Sequence, residues 1–431
     1  MAPAPPNQAV RGVSFEVSPE RYVLRGKLGQ GAYGYVCAAW DVKASRHVAV
    51  KKIKDALMDG QSVKYVLREL VLMKHFSCNE NILSILDAFV PSSDGNVNTD
   101  LYFATELMDT DLGKILHSKQ PLTSDHIEWI TYQILRGVKC LHSAKCLHRD
   151  LKPQNILINA NSDVKIGDLG LARGFDASRS PPRMKGATST SCTSSDHDVE
   201  MMHADEVATP PAMTPHGPLT DYVVTRWYRA PELLVENAFY DEAVDMWAVG
   251  CILAECLSRR VLFPGKDYLQ QLRLIIQLIG RPGELELSRN IDNPAAADFI
   301  RAVQPNPPPP PPTTHHAHLL EHAPRASAPL AARMPPGTDP LAIELAWSLL
   351  SFEASRRPSA KEALAHAYLH ELRDVNAIPD APPLDFEFEA ATATEADLRA
   401  RLSMEIEAFR QVGARERERS VLGREEGEEA R

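Results

Sequence analysis

Residues 148–170 constrain the fold and chemistry of this chain more than any other stretch. They place Asp150, Lys152 and Asn155 at fixed spacing, and a second carboxylate, Asp168, follows a short apolar run. A carboxylate can accept a hydroxyl proton, an ammonium can neutralise a phosphate, and amide and carboxylate oxygens can ligate a metal ion. Transfer of a phosphoryl group needs these functions and little covalent chemistry from the protein. We therefore predict phosphoryl transfer, and a surface turn with scattered charges is the alternative.

Length and composition narrow the class of protein. The 431 residues are 44% hydrophobic and 24% charged, which suits an ordinary soluble protein with room for two lobes and extensions. The net charge of −10 argues against nucleic acid or an anionic membrane as the main partner. Seven cysteines without a C-x-x-C pair indicate reduced thiols. The N-terminus lacks a signal-peptide core, and the most apolar run, residues 248–257, is too short to span a bilayer.

A glycine-rich stretch follows Leu28. Gly29, Gly31 and Gly34 have the spacing G-x-G-x-x-G, and strand-forming residues such as Val36 come next. In a dinucleotide-binding fold such glycines open a helix, whereas strand formers after them favour a hairpin. Glycines at a hairpin tip let backbone N–H groups approach a phosphate closely. An ordinary glycine-rich hairpin remains the alternative for this stretch alone.

The strand of residues 47–53 ends in lysines and includes Ala49 and Lys51. Residues 61–75 follow with a helical pattern of apolar residues, and Glu69 borders the apolar stripe. The strand resembles the one whose lysine reaches the phosphates of a nucleotide. A free ammonium in that position would be loosely placed, so we predict an ion pair between Lys51 and Glu69. For Glu69 alone, a solvated surface carboxylate is the alternative.

The order H-R-D-x-K-x-x-N followed by D-x-G, together with the glycine stretch and the V-A-V-K strand, resembles the protein kinases. The resemblance implies an α+β fold of two lobes, a β-rich small lobe and a mainly helical large lobe, that uses ATP and Mg²⁺. It implies Asp150 as the base, Lys152 and Lys51 as the cations, and Thr225 as their companion. It also implies that Asn155 and Asp168 hold the metal.

The same resemblance implies a set of nucleotide-binding positions in the small lobe and at the entrance of the large lobe. They are Leu28, Gly29, Gly31, Gly34, Val36, Ala49, Lys51, Glu69, Glu106, Met108, Asp111 and Leu157. Lys152 is typical of serine/threonine kinases. Leu169 departs from the family, which usually has Phe there, and we expect a modest effect on the balance of active and inactive states.

Thr220-Asp221-Tyr222, followed by V-x-T-R-W-Y-R-A-P-E, is similar to the mitogen-activated protein kinases of the T-D-Y type. The resemblance implies activation by phosphorylation of both Thr220 and Tyr222. A phosphate adds about −1.5 to −2 charge and three strong acceptors, so it needs arginine partners. We expect phosphothreonine to pair with one group of arginines and phosphotyrosine with another. The first group is Arg68, Arg149 and Arg173, and the second is Arg226 and Arg229.

The chain divides into segments by composition and resemblance. We predict a disordered arm (1–20), a small lobe (21–108), a large lobe (109–372), an extension that returns to the small lobe (373–412) and a disordered tail (413–431). The large lobe carries a disordered insert (176–218) and a Pro- and His-rich insert (304–338). In the extension, Asp374 matches the family's acidic docking residues, whereas Ala377 and Ile378 do not.

The expected partners are protein substrates with Ser-Pro or Thr-Pro, an upstream dual-specificity mitogen-activated protein kinase kinase, and phosphatases. We expect a monomer that binds neither nucleic acid nor membrane and resides in the cytoplasm, with the nucleus as a second location. Two alternatives stay open. One is a catalytically weak scaffold with a kinase fold. The other is a cyclin-dependent type of kinase, although its cyclin-binding helix signature is absent around Glu69.

Overall fold

The computed structural model describes residues 8–10, 12–31, 34–91, 99–175, 226–235, 237, 240–305, 327–372, 380–386 and 394–409. The chain forms two compact units, the first from residues 1–121, 129–175 and 374–431, and the second from residues 122–128 and 176–373. This division differs from the predicted boundary after residue 108, because residues 109–121 and 129–175 pack with the strands and helix before them. The predicted insert 176–218 and tail 413–431 lie outside the described residues.

A β-hairpin forms within residues 8–15, so the prediction of a disordered arm over residues 1–20 is wrong for the part of that arm that the structure describes, residues 8–10 and 12–20. The paired antiparallel strands are β1 (Gln8–Val10) and β2 (Val13–Phe15). The Gln8 side chain donates to the Tyr22 carbonyl at 2.9 Å and accepts from the Leu24 N–H at 3.0 Å, and Phe15 is fully buried. The hairpin is therefore held by residues outside it, which a Pro-rich composition does not reveal.

A five-stranded antiparallel sheet forms most of the first unit, with the strand order β3-β4-β5-β7-β6. Its strands are β3 (Tyr22–Gly31), β4 (Gly34–Asp41), β5 (Arg46–Ile53), β6 (Ile85–Phe89) and β7 (Leu101–Glu106). The glycine stretch lies where β3 meets β4, as predicted for a hairpin. Side chains of β4 alternate between buried and half-buried positions from Cys37 to Asp41, because successive residues of a strand point to opposite faces.

The longest helix of the small lobe, α1 (Gly60–His75), lies between β5 and β6 in the chain. Asp59 caps its first turn by accepting from the N–H groups of Gln61 and Ser62. Its apolar side chains form one core with residues of β6, β7 and the C-terminal extension. The start of the helix agrees with the predicted one to within one residue.

Shorter elements follow the sheet in the chain. They are β8 (Thr110–Asp111), α2 (Leu112–His117), α3 (Ser124–Ser143), β9 (Cys146–Leu147), β10 (Ile156–Ile158), β11 (Val164–Ile166) and β12 (Arg173–Gly174). Strands β11, β10 and β8 form one small sheet, and β12 pairs with β9 in another. At the start of helix α3, Thr123 accepts a hydrogen bond from the His126 N–H. The strands of these small sheets flank the loops that carry Asp150, Lys152, Asn155 and Asp168.

The second unit is helical in the part of the chain that the structure describes. Its helices are α4 (Pro231–Leu234), α5 (Ala243–Ser258), α6 (Tyr268–Ile279), α7 (Glu284–Asn290), α8 (Pro294–Ala302), α9 (Ala328–Ala331), α10 (Pro340–Leu349) and α11 (Ala360–Leu364). Helix α5 is buried along nearly its whole length, as its apolar sequence predicts. Helix α9 lies inside the predicted Pro- and His-rich insert 304–338 and buries Leu330, so the last part of that insert is folded.

Buried thiols agree with the prediction of reduced cysteines. The cysteines in the described ranges are all free, and five of the six are buried. Burial raises the pKa of the Cys140 thiol to about 11 and that of Cys256 to about 12, which keeps both protonated near neutral pH. No helix among the described residues is long and apolar enough to cross a membrane.

The C-terminal extension returns to the first unit, as predicted for it. Residues 395–409 form a helix, α12, which Thr394 and Asp397 begin with reciprocal side-chain to backbone hydrogen bonds. Leu398, Leu402 and Ile406 of α12 belong to the same buried core as α1. The residues before it, 380–386, contact the end of α3, where the Leu384 N–H donates to the Ala144 carbonyl at 3.1 Å.

The Leu402→Ala variant is expected to lower the free energy of unfolding by about 2–4 kcal/mol, because it leaves a cavity between α12 and α1. Leu402 is 2% exposed. The matched control is Met404→Ala on the same helix, where the side chain is 65% exposed and truncation should change stability by less than about 0.5 kcal/mol. Urea unfolding of the three proteins measures the difference, and equal midpoints would contradict the packing of α12.

Candidate active site

The loop before β10 presents Asp150 from a fixed backbone. His148 is fully buried, and its Nδ1 accepts from the Asp150 N–H at 3.2 Å. Its Nε2 lies 3.0 Å from the Gly167 carbonyl. Because Nδ1 accepts, the ring proton must be on Nε2, which donates to Gly167. The buried histidine thus ties the Asp150 loop to the loop that precedes Asp168.

Asp150, Lys152 and Asn155 lie within hydrogen-bonding distance of one another. Lys152 Nζ is 2.5 Å from Asp150 Oδ2, and Asn155 Nδ2 donates to the Asp150 carbonyl at 2.9 Å. The amide nitrogen of Asn155 makes this contact, so its Oδ1 can be offered to a cation. The cation, carboxylate and amide predicted from the spacing therefore form one cluster.

Asp168 lies at the same edge of the small sheet as Asn155. The register pairs Ile156 of β10 with Ile166 of β11, and the Gly167 N–H donates to the Asn155 carbonyl at 2.9 Å. Asp168 has a φ of 63°, a left-handed conformation that turns the chain away from β11. Asn155 lies directly before β10, and Asp168 lies two residues after the end of β11. Because β10 and β11 pair antiparallel, both residues are at the same end of the sheet.

The predicted ion pair between Lys51 and Glu69 is present. Lys51 Nζ lies 2.6 Å from Glu69 Oε1, and Glu69 is 7% exposed. Lys52, the next residue, points to the other side of the sheet and pairs with Asp100 at 2.9 Å. The alternation of side chains along β5 therefore sends only the first lysine towards α1.

The ion pair lies beside the Asp168 loop. A Cβ atom built on Gly170 would be 3.8 Å from Asp168 Oδ1 and 4.0 Å from Glu69 Oε2. Leu169, between Asp168 and Gly170 in the chain, is 1% exposed and packs in the core that includes α1. The smaller side chain at this position thus still fills an apolar site against the helix. Residues from β5, α1 and the loops around β10 and β11 converge on one place.

Several predicted nucleotide-binding residues lie on adjacent strands. Val36 pairs with both Gly29 and Lys51, and Ala49 pairs with Thr105 in the neighbouring strand. Gly34 has a φ of 153°, and a Cβ atom there would overlap the Lys52 carbonyl, so this position admits only glycine. The strand pairing therefore places the glycine stretch over the same part of the sheet as Lys51.

The remaining predicted positions lie at the end of the sheet and on β10. Leu28 is half-exposed, Met108 is buried, and Leu157 of β10 pairs with Asp111 of β8. The Glu106 carboxylate pairs with Lys165, with Oε1 3.1 Å from Lys165 Nζ.

Asp111 has a structural role that the sequence analysis missed. Its Oδ1 accepts from the Lys114 N–H at 2.9 Å, which caps α2, and Oδ2 lies 2.8 Å from Lys114 Nζ. An Asp followed by a short helical pattern was the available signal. If the Asp111 carboxylate binds the nucleotide, it does so while it also caps α2.

Three arginines meet at the turn that follows Asp168. Arg68 donates to the Gly170 carbonyl at 3.3 Å, Arg149 to the Leu171 carbonyl at 3.4 Å, and Arg173 to the Ala172 carbonyl at 2.9 Å. The joint placement that the sequence predicted is therefore present. Tyr65, which the sequence analysis missed, lies under two of them, with its ring centre 5.4 Å from the Arg68 guanidinium and 5.9 Å from that of Arg173.

The second predicted pair of arginines lies around Tyr268. Arg226 donates to the Lys266 carbonyl at 2.7 Å and stacks 5.2 Å from the Tyr268 ring, and Arg229 donates to the Tyr268 hydroxyl at 3.2 Å. Thr220, Tyr222 and Thr225 lie outside the described residues. Asp374, Ala377 and Ile378 of the predicted docking segment do so as well.

The donor set suits a nucleotide with a divalent cation. Asn155 and Asp168 offer hard oxygens from one edge of a sheet, and Lys51 and Lys152 bring two positive charges to the same region. Mg²⁺ is typically held by one or two carboxylates together with phosphate oxygens and water, so a pair of protein ligands is enough. The geometry fits phosphoryl transfer from a nucleotide.

Comparison with known proteins agrees with this geometry. The protein kinase domain family matches residues 22–197 and 203–369. The chain is 40% identical to Mitogen-activated protein kinase 4 of Arabidopsis thaliana over 93% of this chain and 90% of that protein. It is 39% identical to Mitogen-activated protein kinase homolog MMK2 of Medicago sativa, over 90% and 89%. It is 40% identical to Mitogen-activated protein kinase 6 of Oryza sativa subsp. japonica, over 93% and 90%.

The fold and the site define a two-lobed protein kinase, with a sheet-rich N-terminal part and a helical C-terminal part. Within that class, the chain belongs to the mitogen-activated serine/threonine protein kinases. It uses ATP with a divalent metal, acts on protein substrates and responds to upstream kinases, and the predicted family and fold are confirmed. The relatives support neither the scaffold nor the cyclin-dependent alternative.

Proposed function

We propose that Asp150 orients the substrate hydroxyl and accepts its proton, while Lys152 neutralises charge on the phosphoryl group that moves. The observation that carries this assignment is the 2.5 Å contact between Lys152 Nζ and Asp150 Oδ2. It places a base and a cation where one hydroxyl can reach both. Thr225 is the third member by family resemblance, since it follows the activation motif in the sequence.

Asn155 and Asp168 would hold Mg²⁺. The ion would spread the negative charge of the β- and γ-phosphates and so favour transfer. Support comes from the hydrogen bond between the Gly167 N–H and the Asn155 carbonyl, which keeps the two ligands at one edge of the β10–β11 sheet. Oxygen donors also favour Mg²⁺ over softer ions.

Lys51 binds the α- and β-phosphates in this proposal, and Glu69 holds its ammonium in place. Glu106 and Met108 would read the adenine edge through their backbone carbonyl and N–H. The other positions would form the walls of the nucleotide site: Leu28, Gly29, Gly31, Gly34, Val36, Ala49, Asp111 and Leu157. The pairing of Val36 with Lys51 and of Ala49 with Thr105 supports this arrangement.

Phosphorylation of Thr220 and Tyr222 activates the kinase in this proposal. A phosphate on Thr220 would replace backbone carbonyls as the partner of Arg68, Arg149 and Arg173. It would then connect α1, the Asp150 loop and the turn after Asp168. Arg226 and Arg229 would pair with phosphotyrosine 222. Support comes from the first three arginines, which donate to the carbonyls of three consecutive residues, 170–172.

The Thr220→Ala/Tyr222→Phe variant is expected to be about a hundredfold slower than wild type after treatment with a dual-specificity activating kinase, because the active arrangement loses both phosphates. The control is Thr214→Ala, which removes a threonine from the same segment and should leave the activated rate unchanged. The measurement is phosphate transfer to a basic protein substrate. Full activity of the double variant would overturn the proposed switch.

Substrates, partners and location complete the proposal. We infer transfer to Ser or Thr before Pro, an activating mitogen-activated protein kinase kinase, and phosphatases that reverse activation. The kinase would act as a monomer in the cytoplasm and the nucleus. Family membership supports this inference, as does the cluster of Arg226, Tyr268 and Arg229, whose arginines follow the Thr220-Asp221-Tyr222 motif in the sequence. A degenerate peptide screen on doubly phosphorylated protein tests it, and the absence of a preference for Pro after Ser or Thr would contradict it.

A further inference from the structure

Helix α12 of the C-terminal extension packs along α1, the helix that carries Glu69. Leu398, Leu402 and Ile406 of α12 are each less than 10% exposed and share one core with α1. These apolar contacts hold the two helices together in a close-packed core. Two polar contacts near the ends of α1 add directional constraints on the register between the helices.

The first polar contact fixes the start of α1. Arg399 Nη2 donates to the Leu57 carbonyl at 2.7 Å, two residues before Asp59, which caps the helix. Glu395 holds the guanidinium from the other side, with Oε1 2.7 Å from Arg399 Nη2. A carbonyl accepts along a defined direction, so this hydrogen bond fixes where α1 begins relative to α12.

The second polar contact fixes the end of α1. Lys74, in the last turn, lies 2.8 Å from Glu405 Oε2, and the other oxygen of Glu405 accepts from Arg401 Nε at 3.0 Å. The Lys74 ammonium also lies 5.7 Å from the centre of the Phe409 ring. Glu405 is 8% exposed, so its carboxylate is held by these two cations in a nearly buried position.

Glu69 lies between the two contacts along α1. We propose that Arg399 and Glu405 of α12 are positioning residues, which hold α1 in the register where Glu69 bonds Lys51. The proposal rests on the nucleotide-binding role proposed above for Lys51. Neither residue touches the reacting atoms, and both act through the ion pair between Glu69 and Lys51.

The proposal has a kinetic signature. Without the contacts, α1 would spend part of its time with the ion pair broken. Nucleotide would then bind well only to the fraction with the pair formed, and the apparent KM for ATP would rise by the reciprocal of that fraction. Saturating ATP would restore the formed state, so kcat would change little. A general loss of stability would instead lower the amount of active enzyme and leave KM unchanged.

The test uses the activated full-length chain and the Lys74→Met/Arg399→Met double variant. The expected result is an approximately fivefold rise in the apparent KM for ATP, with kcat within about twofold of wild type. The single Lys74→Met variant should give about a twofold rise, and Lys74→Arg should restore the wild-type value. The matched control is Arg301→Met, which removes an exposed ion pair with Glu284 in the second unit and should leave KM unchanged.

The Glu69→Gln background separates this proposal from the one on which it rests. If α12 acts through Glu69, the double variant should cause no further rise in KM once Glu69 is replaced. An equal rise in both backgrounds, or no rise in the wild-type background, would overturn the positioning role. If Glu69→Gln alone leaves both KM and kcat unchanged, the proposed role of the Lys51–Glu69 pair fails, and the positioning role fails with it.

Discussion

The Asp150→Asn variant is expected to lower kcat by about 10³-fold while the Kd for ATP stays within about twofold of wild type. Asp150 contacts Lys152 and Asn155 in the loop before β10. Its effect therefore falls on the acceptor hydroxyl and not on nucleotide binding. Asparagine keeps the size and planarity of the side chain but cannot accept the proton.

The measurement pairs steady-state transfer with nucleotide binding by calorimetry. The control is Asp163→Asn, an exposed carboxylate that accepts from Asn161 Nδ2 at 2.7 Å at the turn between β10 and β11. Its kcat should stay near that of wild type. A loss of less than about tenfold for Asp150→Asn, or an equal loss of ATP affinity, would contradict the role of base.

The Arg357→Met variant is expected to lower the free energy of unfolding by roughly 3–5 kcal/mol. Arg357 is 1% exposed, and its two terminal nitrogens lie 2.6 and 2.9 Å from the two oxygens of Glu232. The guanidinium also donates to the carbonyls of Ala243 and Ser351. Removal of the cation leaves a buried carboxylate without its partner, which costs more than the pair itself contributes.

The Glu232→Gln/Arg357→Met double variant is the informative comparison. It removes both charges, so it should be more stable than Arg357→Met alone, although still below wild type. The exposed pair of Arg301 and Glu284 gives a contrast, because Arg301→Met should cost less than about 1 kcal/mol. Urea unfolding followed by fluorescence measures all three. The account of the buried pair would fail if the double variant were less stable than Arg357→Met.

The parts of the site that were predictable are those in which local spacing determines geometry. Asp150, Lys152 and Asn155 lie within six residues, so one loop brings them together. The Lys51–Glu69 pair follows from a strand and a helix that are adjacent in the chain. Helix α3 is likewise encoded locally, because its apolar side chains recur every three or four positions and Thr123 marks its start.

The parts that were not predictable depend on contacts between residues distant in the chain. The N-terminal hairpin is held by bonds from the Gln8 side chain to the backbone of β3, and a Pro-rich sequence carries no trace of them. Helix α8 begins at Pro294 because Asn293 caps it by accepting from the N–H groups of Ala295 and Ala296. The grouping of Arg68, Arg149 and Arg173 was predicted, but the left-handed conformation of Asp168 at the start of the turn they contact was not.

The Mg²⁺ dependence of phosphate transfer tests the central claim most directly, since that claim is that separate loops form one site around a metal nucleotide. The doubly phosphorylated wild type and its Asp168→Asn variant would be titrated with Mg²⁺ at fixed ATP and a Ser-Pro peptide. We predict no transfer without a divalent ion, and at least about a tenfold higher Mg²⁺ concentration for half-maximal rate in the variant. Identical Mg²⁺ curves for the two proteins would contradict the account.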